Sequence, residues 1–215
     1  MNAKVQVELR EEAVSVAEPR QVRANGGYVT KRACDLALAL VLLPICALPM
    51  VLLALLIRLT SPGPALHWSD RIGVDNKRFR MPKFRSMRVD APAVATHLFS
   101  NANDYITPVG RLLRKTSLDE LPQLISIIKG DLSFVGPRPA LANQADLIAL
   151  RTERGVHALV PGLTGWAQIN GRDELSIPVK VDYDSYYLAH RSFLFDLRIL
   201  LSTFTAVVQA RGVHH

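Results

Sequence analysis

One long apolar run, Ala33 to Ile57, dominates the hydropathy pattern; Asp35 alone interrupts it, and Pro44 and Pro49 fall near its middle. As a helix it is long enough to cross a bilayer. Each proline removes a helix hydrogen bond and favours a kink. Cations flank both ends (Lys31-Arg32 and Arg58), so charge sets no polarity across a membrane. Asp35 would be costly deep in lipid. A helix that breaks and returns to one face satisfies all three observations, whereas length alone allows a plain single span. Further on, Leu121, Leu124, Ile125 and Ile128 keep helical spacing, and Asn143 to His157 predicts a polar-faced helix. Ser192 to Ala210 predicts a second apolar-rich helix through Phe193, Leu194, Leu197, Leu200, Leu201 and Phe204. Residues 1–27 are polar and mixed in charge, a predicted disordered tail without the apolar core of a signal peptide. Ala91 to Asn103 predicts a surface loop, and there are no internal repeats.

Composition narrows the class. The chain has 215 residues, enough for one sizeable domain or one domain plus an anchor. It is 49% hydrophobic with mean hydropathy +0.14, high for a soluble protein and far too low for a polytopic one. A net charge of +7 and a pI near 9.7 fit an anionic membrane surface or phosphorylated substrates. No basic, aromatic-interleaved motif supports nucleic acid as a partner. Cys34 and Cys46 lie in the apolar run with no partner at metal spacing, against a disulfide framework or a zinc site.

The candidate chemistry is concentrated between Leu113 and Pro139. Asp119 and Glu120 follow the cations Arg114 and Lys115 and the hydroxyls Thr116 and Ser117; the stiff turn Gly136-Pro-Arg-Pro139 closes the tract. A helix N-terminus carries partial positive charge and unpaired N–H groups, which suits phosphate. The same field favours an ionised Asp119, as a nucleophile or Mg²⁺ ligand must be. Ser117-Leu-Asp-Glu120 also reads as an ordinary capping box. With Ser117 as cap, Pro122 would clash with the Leu118 carbonyl; a start at Asp119 places it safely in the first turn. Either start leaves both carboxylates at the positive end. Pro161-Gly-Leu-Thr-Gly165 reads as a tight turn using positive φ at its glycines, as a backbone cradle for phosphate, or as both. Trp166 is best placed in core or interface packing. His67, His97, His157 and His190 show no metal pattern.

Those residues resemble the signature of the bacterial sugar transferases, the small monotopic phosphoglycosyl transferases that start polysaccharide and glycan assembly on a lipid carrier. Other blocks agree in order: Lys31-Arg-Ala-Cys-Asp35, Thr60-Ser-Pro-Gly-Pro64, Arg71-Ile-Gly73, Phe79 and Lys83-Phe-Arg-Ser-Met87. Pro161 to Gln168, Asn170-Gly-Arg172, Asp184 with Tyr186-Tyr187, and Asp196-Leu197 complete the set. The resemblance covers residues 28 to 212, and so many ordered blocks are far more specific than any one motif.

The resemblance implies a mixed α/β, mostly helical fold in a monotopic membrane protein. It divides the chain into a tail (1–27), a re-entrant helix-break-helix (28–58) and a cytoplasmic catalytic domain with interfacial amphipathic helices (59–212). The family's break uses a Ser-Pro pair; here Leu43 precedes Pro44, so Pro44 and Pro49 would set the break themselves. The implied reaction moves a sugar-1-phosphate from a UDP-sugar to polyprenyl (undecaprenyl) phosphate through a covalent phosphosugar on Asp119, releasing UMP. Asp119 and Glu120 are the implied catalytic pair and Mg²⁺ ligands. Lys83, Arg85, Arg114, Arg138, Gln168 and Arg172 are candidate phosphate or nucleotide partners. The expected place is the bacterial inner membrane, facing the cytoplasm. The sugar, the pathway and homo-oligomer formation stay open. Two rivals remain, a non-catalytic membrane-anchored scaffold for glycan assembly and a single-span receptor or assembly factor.

Overall fold

The computed structural model of this chain describes residues 27–91, 102–171 and 175–208. The predicted tail except Gly27, most of the predicted loop at 91–103, and Arg172 lie outside the described residues. The apolar run forms one helix, α1 (Gly27–Thr60), of 34 residues and about 50 Å at the α-helical rise. It runs unbroken through Pro44 and Pro49, so the expected pair of helices with a break between them is not formed as two separate elements.

Packing explains why the prolines do not divide α1. Asp35 and Ala39 are buried, and Leu42, Leu43 and Cys46 pack on the main core. Beyond the prolines Met50, Leu53, Ala54 and Ile57 pack on a second cluster with Phe84 and Leu113. These positions recur every three or four residues, one continuous seam on one side of the helix. Near the N-terminal end Arg32 donates to the Ile127 and Ile128 carbonyls at 2.5 and 2.7 Å. Asp35 accepts the Phe134 N–H at 3.3 Å, so this carboxylate faces the protein and not lipid. Pro44 and Pro49 are on the exposed side, together with Leu40, Val41, Ile45, Leu48, Val51 and Leu52.

The remainder is mixed α/β and mostly helical, as expected. Strands β1 (Leu66–Ile72) and β2 (Arg78–Phe84) form an antiparallel hairpin that pairs Leu66 with Phe84 and His67 with Lys83. Helices α2 (Ala102–Tyr105), α3 (Pro108–Thr116) and α4 (Leu124–Lys129) follow. Short strands β3 (Ser133–Val135) and β4 (Gly162–Thr164) pair in parallel. Helix α5 (Ala145–Glu153) is shorter than the predicted 143–157, because Gly155 takes a left-handed φ of 71° and a 3₁₀ turn follows. Then come α6 (Trp166–Ile169), α7 (Ile177–His190) and α8 (Phe193–Val208), the last matching the predicted apolar-rich helix. Trp166 packs as expected in an aromatic cluster with Tyr183, Tyr186 and Phe195.

Candidate active site

Pro122 shapes the segment that carries the two carboxylates. Helix α3 ends at Thr116, and Ser117 takes a left-handed backbone (φ 57°, ψ 17°) that turns the chain. Leu118–Gln123 then winds as a 3₁₀ turn before α4 begins. The tighter winding carries Pro122 without the clash it would make inside an α-helix. Asp119 and Glu120 lie in the first turn of this segment, the positive end that both readings of the sequence required. Ser117 makes no side-chain cap, and Glu120 directs its carboxylate to cations instead, so no capping box forms.

Those cations come from distant parts of the chain. Lys83, near the end of β2, places its ammonium 2.7 Å from Glu120 Oε1. Arg138, on the loop after β3, places a guanidinium nitrogen 3.3 Å from the same oxygen. The Lys83 and Glu120 side chains are each 16% exposed, so this pair is poorly screened by solvent. Asp119 sits in the same field. Burial pushes its carboxyl above the ordinary range; Lys83, Arg114 and Arg138 pull it down, and Glu120 pushes it up. Burial is the largest of these, and the net direction is upward, opposite to the ionised Asp119 expected of a helix-end field. Arg114 is anchored by a 2.9 Å bond from its Nε to Ser86 Oγ, and Asp119 stabilises its charge against burial.

The loop that aims Arg138 is fixed carbonyl by carbonyl. The Pro137 carbonyl accepts from Gly162 N–H at 2.9 Å, and that of Arg138 from the Arg151 guanidinium at 2.7 Å. The Pro139 carbonyl accepts from Arg71 at 3.2 Å, and that of Ala140 from Ile72 N–H at 2.9 Å. Two prolines remove their own N–H groups, so carbonyls are the main handles on this turn. Arg151 is in turn locked to the fully buried Asp184, with two bonds to Oδ2 at 3.0 and 2.6 Å.

The Pro161–Gly165 segment differs from the tight turn expected of it. Its middle is strand β4, and neither Gly162 nor Gly165 has positive φ. The glycines permit close approach instead: a Cβ on Gly162 would lie 2.1 Å from Gly136 N, and one on Gly165 would lie 2.1 Å from Gly136 O.

Three expected phosphate or nucleotide partners, Lys83, Arg114 and Arg138, therefore surround the carboxylates. Arg85 is placed elsewhere: it is buried and donates to the carbonyls of Ser61 and Pro62 and to Ser61 Oγ, closing the turn after α1. Gln168 bonds back to the Leu163 carbonyl at 3.1 Å, within its own loop. Arg151 was missed in the sequence, where an arginine in a polar-faced helix carries no sign of a buried partner. Among the described residues no group of three or more His, Cys, Asp or Glu stands together. A two-carboxylate dyad still suits Mg²⁺, which is commonly held by one or two carboxylates together with substrate phosphates and water.

Helix α8 exposes Phe193, Leu194, Leu201 and Phe204, and the Lys31 ammonium joins its first turn to α1 through a 2.6 Å bond to Asp196. Among the described residues α1 is the one helix long and apolar enough to cross a membrane. Two exposed apolar helices joined this way support membrane association.

A model of the bacterial sugar transferase family matches residues 27–210. The chain is 38% identical to the uncharacterized sugar transferase EpsL of Bacillus subtilis, over 86% of this chain and 90% of that protein. It is 40% identical to the UDP-glucose:undecaprenyl-phosphate glucose-1-phosphate transferase of Escherichia coli, over 80% of this chain and 39% of that protein. It is 32% identical to the UDP-N-acetylgalactosamine-undecaprenyl-phosphate N-acetylgalactosaminephosphotransferase of Aeromonas hydrophila, over 85% of this chain and 44% of that protein. The chain thus spans under half the length of these last two relatives and nearly all of the first. With the family model matched over most of its length, the chain belongs to the bacterial sugar transferase family and is a transferase.

Proposed function

We propose that this transferase moves a sugar-1-phosphate from a UDP-sugar to undecaprenyl phosphate and releases UMP. The observation that carries the reading is the carboxylate dyad at a helix start with Lys83 and Arg138 on Glu120 and Arg114 beside Asp119. A pyrophosphate needs such charge neutralisation together with an in-line attacker. The Asp119 carboxylate attacks the phosphorus that carries the sugar, and the bridging P–O bond breaks to release UMP. An oxygen of the lipid phosphate then attacks the same phosphorus. The Asp119 O–P bond breaks, the carboxylate is regenerated and polyprenyl diphosphate sugar leaves. Lys83, Arg114 and Arg138 balance charge on the phosphoryl oxygens, and Glu120 orients the reacting group. Mg²⁺, held by Asp119 and Glu120, would neutralise pyrophosphate oxygens and the leaving nucleotide.

The membrane reading has its own support. The helix α1 meets the same domain near both ends, through Arg32 and Asp35 at one and Ile57 at the other. A straight crossing of a hydrocarbon core about 30 Å thick would carry one end away from that domain. A helix that stays in one leaflet keeps both contacts, and the missing hydrogen bonds at Pro44 and Pro49, on the exposed side, let it bow toward the surface it covers. On this re-entrant reading the site lies at the cytoplasmic face of a bacterial inner membrane, where nucleotide sugar and lipid phosphate meet. The sugar is not fixed by the relatives, since the two named for their substrates use different ones.

Incubation with individual UDP-hexoses and UDP-N-acetylhexosamines, without lipid, tests the reading. About one UMP per active site and a phosphosugar adduct by intact mass are expected. UMP release only in the presence of lipid points to direct displacement, and no release with any donor favours the scaffold.

A further inference from the structure

The Arg138 carbonyl accepts a 2.7 Å bond from Arg151, while the Arg138 side chain reaches Glu120 at 3.3 Å. One residue therefore links a buried ion pair to the dyad. Arg151 lies on α5 and Asp184 on α7, so the pair also joins these two helices behind the loop. Its fork makes three hydrogen bonds to two acceptors at once: Nε and Nη2 on Asp184 Oδ2, and Nη1 on the Arg138 carbonyl. An ammonium cannot reproduce that planar geometry. Burying such a pair is a poor way to gain stability, since desolvation offsets the attraction, and an apolar pair of similar volume often serves as well. What an apolar pair cannot do is hold the Arg138 carbonyl. The Pro137 and Ala140 carbonyls are held by backbone N–H groups and that of Pro139 by the half-buried Arg71, so Arg138 is the point on this turn held by a buried side chain.

We propose that Arg151, locked by Asp184, is a positioning residue that sets the direction of the Arg138 side chain toward Glu120 and the donor pyrophosphate. The proposal rests on the phosphoglycosyl transfer reading above. The Arg151 guanidinium bonds to Asp184 and the Arg138 carbonyl, not to Asp119 or Glu120; it acts through the Arg138 backbone. Loss of the fork leaves the charge at Arg138 in place and lets its direction wander, and a misplacement of about 1 Å at a reacting centre can lower a rate about a hundredfold.

The test uses the full chain in lipid nanodiscs and follows UMP release with a UDP-sugar that the wild type accepts. Arg151→Lys should lower kcat at least about tenfold while the melting temperature stays above the assay temperature. The decisive arm is the same substitution in an Arg138→Lys background. There a flexible side chain no longer depends on the backbone direction, and Arg151→Lys should change kcat by less than about twofold. Asp184→Asn, which keeps shape and an acceptor, should give the same loss and the same non-additivity, and it decides the matter if Arg151→Lys does not fold. A folded variant with wild-type kcat, or equal losses in both backgrounds, overturns the proposal while leaving the transferase reading intact. A wild type that releases UMP from no donor overturns that reading, and the proposal with it.

Discussion

Lys83 and Glu120 lie 37 residues apart in sequence, yet their charged atoms meet at 2.7 Å, and this contact joins the β1–β2 hairpin to the segment that carries Asp119 and Glu120. Lys83→Met removes the charge and keeps most of the apolar stem. Glu120 retains Arg138, so the expected loss of stability is modest, about 1–2 kcal/mol. Activity should fall far more, by about a hundredfold or greater, because the cation also serves the developing phosphoryl charge. Thermal melting and UMP release on the same preparation separate the two effects. A drop in melting temperature with kcat unchanged would make Lys83 purely structural.

Asp119→Asn should abolish turnover and the covalent adduct. Its effect on stability has a definite sign. The folded-state carboxyl is raised, chiefly by burial, so the native state binds the proton more tightly than the unfolded chain does. Stability from this group is present at low pH and is lost as pH rises toward the raised folded value. At neutral pH the ionised carboxylate is a burden that asparagine lacks. The variant should melt at the same temperature as wild type or higher, with a gap that widens as pH increases. A clear destabilisation at neutral pH would mean that the cations around Asp119 outweigh its burial.

The same shift governs the rate. The nucleophile must be ionised, so UMP release in the lipid-free half-reaction should decline as pH falls through the Asp119 value, at a limb above the ordinary aspartate value of about 3.9. Lys83 is the largest of the influences that pull this carboxyl down. In Lys83→Met the acid limb should therefore move to still higher pH. A limb that moves down, or stays in place while kcat falls, would separate Lys83 from the ionisation of Asp119.

Chelation tests the metal. EDTA should stop UMP release and Mg²⁺ should restore it, because a two-carboxylate dyad needs the pyrophosphate to complete a coordination shell. Nucleotide binding, read by fluorescence of a labelled UDP analogue, should weaken in parallel. Full activity in EDTA would remove the ion and leave Lys83, Arg114 and Arg138 as the sole neutralising groups.

What the sequence could and could not convey follows from the range of each interaction. The apolar run, the mostly helical mixed fold and the place of Asp119 and Glu120 at a helix start are local properties, and period and Pro122 carry them. Lys83 and Arg138 were legible through the ordered blocks they occupy, without any indication that both would meet one oxygen of Glu120. Arg85 shows the opposite case. Its block pointed to phosphate, whereas its fork fits the Ser61 and Pro62 carbonyls, a contact between segments 23 and 24 residues apart that no periodicity encodes. The glycines of 161–165 read as a positive-φ turn, as a phosphate cradle or as both; neither Gly162 nor Gly165 takes positive φ, and what requires them is the approach of a second backbone at Gly136. Arg151 was invisible because its partner Asp184 lies 33 residues away on another helix.

The anchor gives the last prediction. In a background lacking Cys34 and Cys46, cysteines placed at Arg10 and at the exposed Glu153 should label from the same side of an intact inner membrane vesicle, since both ends of α1 stay with one domain. Changing Pro44 and Pro49 together to Ala restores two helix hydrogen bonds, each proline costing a helix about 3 kcal/mol. On the one-leaflet reading a straighter α1 strains the Asp35–Phe134 bond and the Ile57 cluster, so the double variant should lose activity and label from both sides. Pro44→Ala should do more damage than Pro49→Ala. Pro44 is two residues before Cys46, where α1 rests on the main core, so straightening there works against the larger buried cluster. Labelling of the wild-type tail and Glu153 from opposite sides would make α1 a plain span, and the one-leaflet reading would fall with it.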